Sequence, residues 1–88
     1  MRQIIFSEQF DAAVERLGGY QTVDIALEPI IEALSRNPYG FRLFESDWTS
    51  FRYAITKPIV DLVPSLLIIF TIDEQRNVIL EHVEEAGE

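Results

Sequence analysis

The segment that most restricts the possible folds spans residues 66–85, LLIIFTIDEQRNVILEHVEE, and its pattern predicts a β-hairpin. An apolar run over Leu66–Ile72 leads into the polar turn DEQRN and then into a second apolar segment. Because nearly every residue of the first run is apolar, we expect it to form a central strand that is covered on both faces. A chain with such a strand requires a sheet and a layer packed on it.

Two amphipathic helices are predicted before the hairpin. Ser7 is a good N-cap for a helix over residues 8–17, and Gly18-Gly19 ends it. Thr22 is expected to cap a second helix over residues 23–37, whose apolar positions follow the helical period. Pro29 lies inside that period and predicts a kink rather than an end, because the apolar stripe continues past it.

Short strands complete the predicted architecture. Residues 1–6 form an opening strand, FRLFES and FRYAIT two later ones, and KPIVDLVP a loop. In FRYAIT the alternation places Phe51, Tyr53 and Ile55 together, and we expect them to face the core. The prediction for residues 1–88 is therefore a single α+β domain. Its two-helix hairpin packs on one face of a mostly antiparallel sheet of four or five strands, and its N-terminal strand lies beside a later strand of that sheet.

Charge and composition exclude several classes of protein. Seven Lys and Arg against fifteen Asp and Glu give the 88 residues a formal net charge of −8 at pH 7, a field that repels nucleic-acid phosphates. There is no cysteine, and one histidine with scattered carboxylates has no metal-binding spacing, so no metal or other cofactor is expected. The longest apolar run, residues 66–70, is shorter than the ~20 residues of a membrane span. A soluble cytoplasmic protein is expected.

Four stretches in this order carry a family resemblance: IIFSEQFDAAVERL, IIEALSRNPYGFRLFES, WTSFRYAIT and LIIFTIDEQRNVIL. Together they resemble the RelE/ParE family of small toxins from bacterial type II toxin–antitoxin pairs. The resemblance implies the fold given above and an antitoxin segment as partner. It also implies one of two activities: cleavage of messenger RNA by basic residues with a His or Tyr on the concave sheet face, or, in the ParE branch, binding of gyrase.

Measured against that resemblance, the usual basic positions are largely missing. Arg52 keeps one of them, whereas Ala54 and Leu67 stand where arginines are usual, and the last strand reads EHVEE. A carboxylate near a phosphate would oppose the transition state of RNA cleavage. The sequence therefore favours a toxin-like protein that acts by binding another protein. The alternative is an mRNA endoribonuclease with a rearranged active site.

His82 and Arg52 are the candidate catalytic residues, and Arg42 and Lys57 are further basic candidates. His82 could act as a general acid near neutral pH. The competing hypothesis, which we favour, places it beside Val78 and Leu80 at the edge of the core.

For the basic candidates, Arg42 and Arg52 are predicted to lie close together on the polar faces of neighbouring strands. Together with Lys57 they would then form a small positive patch. The alternative hypothesis is that these residues form salt bridges with Glu45, Asp47 or Asp61.

An interaction surface is predicted around the apolar loop and the preceding polar segment. KPIVDLVPSLL presents Ile59, Val60, Leu62 and Val63 in a short space, and such a patch usually marks a contact surface. Trp48 in ESDWTS either anchors a partner or folds back over the sheet edge. The expected partner is an antitoxin protein or a second copy of the chain.

Overall fold

A five-stranded sheet with two helices on one face makes up the part of the chain described by the computed structural model, residues 3–44 and 51–86. In chain order the elements are β1 (Ile4–Phe6), α1 (Glu8–Arg16), α2 (Tyr20–Arg36), a short 3-10 helix (Pro38–Gly40), β2 (Arg42–Phe44), β3 (Phe51–Ile55), β4 (Leu66–Ile72) and β5 (Val78–Glu85). The predicted α+β class and helical hairpin are confirmed.

The sheet is mixed, with the strand order β1-β5-β4-β3-β2. β2, β3, β4 and β5 form successive antiparallel pairs, whereas β1 pairs with β5 in parallel. The prediction of a mostly antiparallel sheet is corrected accordingly. A parallel pair needs a long crossover between its strands, and here the chain between β1 and β5 supplies it, beginning with the helical hairpin.

The helix boundaries follow local capping chemistry. Ser7 caps α1 as predicted, because its Oγ accepts a hydrogen bond of 3.1 Å from the Phe10 N–H. α2 begins at Tyr20, with Gly19 rather than Thr22 as its N-cap. Gly19 has a φ of +90°, which lets the chain turn directly from α1 into α2. Thr22 instead donates its hydroxyl to the Gly18 carbonyl at 3.1 Å.

The core lies between the helices and the centre of the sheet. The large side chains buried there are Phe10, Val14, Val23, Leu27, Leu34, Leu66, Ile68, Phe70, Val78, Leu80 and Val83. Burying each stabilises the fold by roughly 1.5–3 kcal/mol. Helix α2 runs through Pro29 without ending, because the buried residues on both sides of the proline keep it against the sheet.

The turn between β4 and β5 fixes their register and also holds β1. Asp73 Oδ1 accepts hydrogen bonds from the N–H groups of Gln75 (2.9 Å) and Asn77 (2.8 Å). Asn77 Oδ1 accepts one from the Gln3 N–H at 2.9 Å. The predicted turn is therefore confirmed, and its side chains connect β4 and β5 with the start of β1.

A β-bulge in β5 decides which side chains face the helices. Ile69 pairs with His82, but Phe70 pairs with Leu80, so Glu81 is an extra residue. The bulge shifts the alternation by one position, which puts Val83 in the core beside Leu80. His82 consequently faces away from the helices, and its predicted place beside Val78 and Leu80 was wrong.

Candidate functional site

The candidate site is the sheet face turned away from both helices, called the open face below. Cross-strand register puts Ile5 opposite Ile79, and Ile55 opposite Leu67. These and the other apolar side chains of the open face lie outside the core cluster: Ile5, Phe51, Tyr53, Ile55, Leu67, Ile69 and Ile79. β4 is the central strand, but the helices cover only one of its faces, which corrects the prediction of cover on both.

β3 presents its large side chains to the open face rather than to the core. Ala54 pairs with the buried Ile68 and is itself buried on the helix side of the sheet, whereas Tyr53 pairs with Ile69 on the other side. The predicted core position of Phe51, Tyr53 and Ile55 was therefore wrong. α1 and α2 lie against β5 and β1, so the covered side of β3 needs only a small residue such as Ala54.

One cross-strand row on the open face carries the polar chemistry. Arg42 pairs with Tyr53, Tyr53 with Ile69, and Ile69 with His82. With neighbouring strands ~4.8 Å apart, the backbones of Arg42 and His82 are separated by roughly 14 Å. General acid–base catalysis requires each group within ~3 Å of the reacting atom. Ile69 interrupts the row between Tyr53 and His82, so the row is not a compact catalytic cluster.

Carboxylates flank His82. Its Nε2 lies 2.9 Å from Glu84 Oε1, and its side chain is 35% exposed. Glu81, the bulge residue, accepts a hydrogen bond of 2.8 Å from the Thr71 hydroxyl through Oε2. The β5 side of the open face is thus negative, which favours a cationic group on a partner over a phosphate.

Arg52 lies on the helix side of β3 and has a structural role. Its Nη1 donates to the carbonyls of Phe41 (2.6 Å) and Tyr39 (3.3 Å), and its guanidinium lies 5.6 Å from the centroid of the Tyr39 ring. Arg42 pairs with Tyr53 and therefore lies on the opposite face, so the predicted proximity of the two arginines was wrong. The predicted salt-bridge partners Glu45 and Asp47 lie outside the described residues.

The four candidate residues do not converge. Lys57 is exposed beyond the end of β3, where it borders a groove next to α2. Only Arg42 and His82 share the open face. In the stretches 3–44 and 51–86, no three His, Asp or Glu side chains form a group that could hold a metal ion.

The predicted interaction surface is divided between core and solvent. Ile59 and Val63 pair through backbone hydrogen bonds of 2.7 and 3.0 Å, and both side chains pack inward. Val60 and Leu62 project outward and are 84% and 65% exposed. Trp48 lies outside the described residues. Val60 and Leu62 are therefore available on the surface, Val63 belongs to the core, and Ile59 is partly buried against it.

The residues that sequence reasoning missed are the aliphatic side chains Ile5, Ile69 and Ile79. For Ile69 the signal was the nearly continuous apolar segment Leu66–Ile72, which indicates either a second covering layer or a contact surface. Ile79 continues the same pattern in β5, where strict alternation would place a polar residue on a solvated face.

Comparisons with known proteins returned no match to any family model, curated protein or solved structure. No helix in the described part of the chain is long and apolar enough to cross a bilayer.

Proposed function

We propose that this chain is a toxin-like protein of the RelE/ParE type that acts by binding another protein on its open face. The observation that carries the proposal is the band of half-buried apolar side chains there, centred on Tyr53, Leu67 and Ile69, which neither α1 nor α2 covers. The coarse α+β arrangement, a helical hairpin against a five-stranded sheet, also supports the proposal, whereas the mixed sheet departs from the mostly antiparallel one that the resemblance implies. Apolar patches of this extent usually mark contact surfaces.

The size of the open face favours an extended or helical segment as its partner. Five strands spaced ~4.8 Å apart, with a rise of ~3.3 Å per residue along seven-residue β4, give a face of roughly 19 by 23 Å. That flat area of roughly 440 Å² is about half of the ~800 Å² that one partner buries in a standard interface. A wrapping segment, such as the tail of an antitoxin, suits this area better than a second globular domain.

The charge of the face restricts the partner further. Glu81 and Glu84 lie on its β5 side, and the whole chain carries a net charge of −8. A segment with apolar residues over β4 and with Lys or Arg over β5 would therefore bind best.

A second candidate function is endoribonuclease activity from a rearranged site. The observation that favours it is the position of Arg42, Tyr53 and His82 on the same face. Ile69 in the middle of the row and the carboxylates beside His82 oppose it, because a phosphate would meet one arginine and two acids.

Growth arrest on induced expression in bacteria tests the proposal. The wild type is compared with Arg42→Ala/His82→Ala, which removes the ionisable side chains of the row, and with Ile69→Thr/Ile79→Thr, which makes the open face polar. Threonine keeps the β-branch and so preserves strand propensity. Leu43→Thr is the matched control, since Leu43 is an exposed aliphatic residue on the opposite side of β2. Circular dichroism verifies that each variant is folded.

We expect arrest by the wild type, by Arg42→Ala/His82→Ala and by the control, and loss of arrest with Ile69→Thr/Ile79→Thr. Loss of arrest in the Arg42→Ala/His82→Ala variant, with retention in the isoleucine variant, would establish the ribonuclease instead. Absence of arrest by the wild type would overturn the toxin-like assignment.

A further inference from the structure

Exposed aliphatic side chains gather at the end of the molecule where β3 leads into β4. Val60 and Leu62 project from the loop over residues 58–64, called the proline loop below. Next to it, Ile25 of α2 and Ile55 of β3 are 51% and 57% exposed. Single exposed aliphatic residues are common on protein surfaces, but a cluster of four at one end indicates a contact surface.

Two prolines and a backbone hydrogen bond constrain the backbone of the proline loop, which carries the two exposed side chains. Pro58 and Pro64 bracket it, and the N–H of Leu62 donates to the Ile59 carbonyl at 2.9 Å. Asp61 at the tip has a φ of +65°, a conformation that aspartate tolerates better than most residues. Because the loop is already ordered, binding through Val60 and Leu62 would cost little conformational entropy.

A groove of about 390 Å³ lies beside the proline loop, between α2 and the end of β3. Its apolar lining consists of Ile25, Ala26, Pro29, Ile30, Ile55 and, from the proline loop itself, Pro58 and Ile59. Lys57 borders the groove, and within the stretches 3–44 and 51–86 neither Lys57 nor Asp61 forms an ion pair. The loop therefore offers two aliphatic side chains and an acid, and the groove offers an aliphatic lining and a base.

We propose that two copies of this chain form a symmetric dimer in which the proline loop of each copy occupies the groove of the other. A twofold axis makes every contact occur twice, so that Asp61 of each copy meets Lys57 of its partner copy. Val60 and Leu62 then pack against Ile25 and Ile55. The net charge of −8 on each copy opposes association. Repulsion between charges more than ~8 Å apart is largely screened at physiological ionic strength, so the contacts at the interface determine whether the dimer forms.

Sedimentation equilibrium of the full chain from about 1 µM to about 1 mM tests this dimer. We expect the wild type to approach twice the 10.1 kDa mass of one chain as concentration rises. Val60→Ser/Leu62→Ser should weaken association at least ~100-fold. Leu43→Ser, which truncates another exposed aliphatic residue on β2, should leave association unchanged.

The charge pair gives a second, independent readout. Lys57→Glu replaces two favourable contacts per dimer with repulsive ones and should weaken association about tenfold. Adding Asp61→Asn in the same chain removes the repulsion and should restore most of that loss, and asparagine also tolerates the positive φ. Such rescue is not expected from non-specific aggregation.

Three results would overturn the proposal: a wild type that stays monomeric at the highest concentration, association unaffected by Val60→Ser/Leu62→Ser, or Lys57→Glu without effect. A dimer lost only with Ile69→Thr/Ile79→Thr would assign self-association to the open face instead. None of the loop and groove variants replaces a side chain of the open face, and Ile55, which the open face and the groove share, is left intact. This proposal and the proposed function can therefore fail separately.

Discussion

Replacing Arg52 with alanine should destabilise the protein by about 2–3 kcal/mol, because this arginine ties β3 to the 3-10 turn before β2. The stronger contact is the partly buried 2.6 Å hydrogen bond from Nη1 to the Phe41 carbonyl. A hydrogen bond from a charged donor contributes roughly 1.5–3 kcal/mol. The longer contact to Tyr39 O and the guanidinium above the Tyr39 ring add roughly 0.5–1 kcal/mol at an exposed site.

These contributions share one guanidinium and are not additive, so we take about 2–3 kcal/mol for the whole side chain. A domain of 88 residues has a total stability of roughly 4–13 kcal/mol, which makes this loss large. In thermal unfolding it corresponds to a fall in Tm of roughly 8–20 °C. The stability of Arg52→Lys should lie between those of the wild type and Arg52→Ala, because lysine keeps a charge near Phe41 O but loses the planar guanidinium.

Urea unfolding followed by circular dichroism measures the effect, and Arg42→Ala is the matched control. Arg42 lies one strand away on the open face, and its removal should change the free energy of unfolding by less than ~0.5 kcal/mol. Equal effects of the two alanine variants would refute the structural role of Arg52. A folded, fully stable Arg52→Ala variant that lost activity would return Arg52 to the list of catalytic candidates.

Three further predictions concern other parts of the fold. Burial and the hydrogen bond to Asp11 raise the pKa of Tyr20 above its unfolded value of 10.0. Stability should therefore fall as pH rises above about 10, and Tyr20→Phe should lessen that fall in pH-dependent urea unfolding. Val83→Ala should cost about 2 kcal/mol and His82→Ala less than ~1 kcal/mol; the reverse order would contradict the bulge. Asp73→Ala should cost roughly 1–2 kcal/mol by removing both turn hydrogen bonds, and an unchanged urea midpoint would refute this.

Much of the element order was predictable because local chemistry determines it. The cap at Ser7 and the Asp73 turn depend on side chains that bond backbone groups two to four residues away. Such contacts are visible in a short sequence window. The start of α2 was predicted too late because threonine is by residue type a good N-cap. In the structure the turn at Gly18-Gly19 already sets the helix direction, and Gly19 is the N-cap.

The facing of the strands was less predictable, because it depends on distant partners. Regular alternation fails at Glu81, where one extra residue moves His82 to the open face and Val83 into the core. In β3 the buried residue is Ala54 rather than Tyr53, because the register with β4 puts Ala54 opposite the buried Ile68 and Tyr53 opposite Ile69. A single sequence contains no record of where the helical layer ends, so the open face could be found only from the structure.

The pairing of the first strand with the last also orders the events of folding. The hydrogen bond from the Gln3 N–H to Asn77 Oδ1 joins residues 74 positions apart. Contacts of such long range are slow to form, because closing the long loop costs conformational entropy before the paired strands stabilise the fold. β1 has no strand partner until β5 is in place, because β5 is the strand with which it pairs. The docking of β5 between β1 and β4 should therefore be the slow step that completes the sheet.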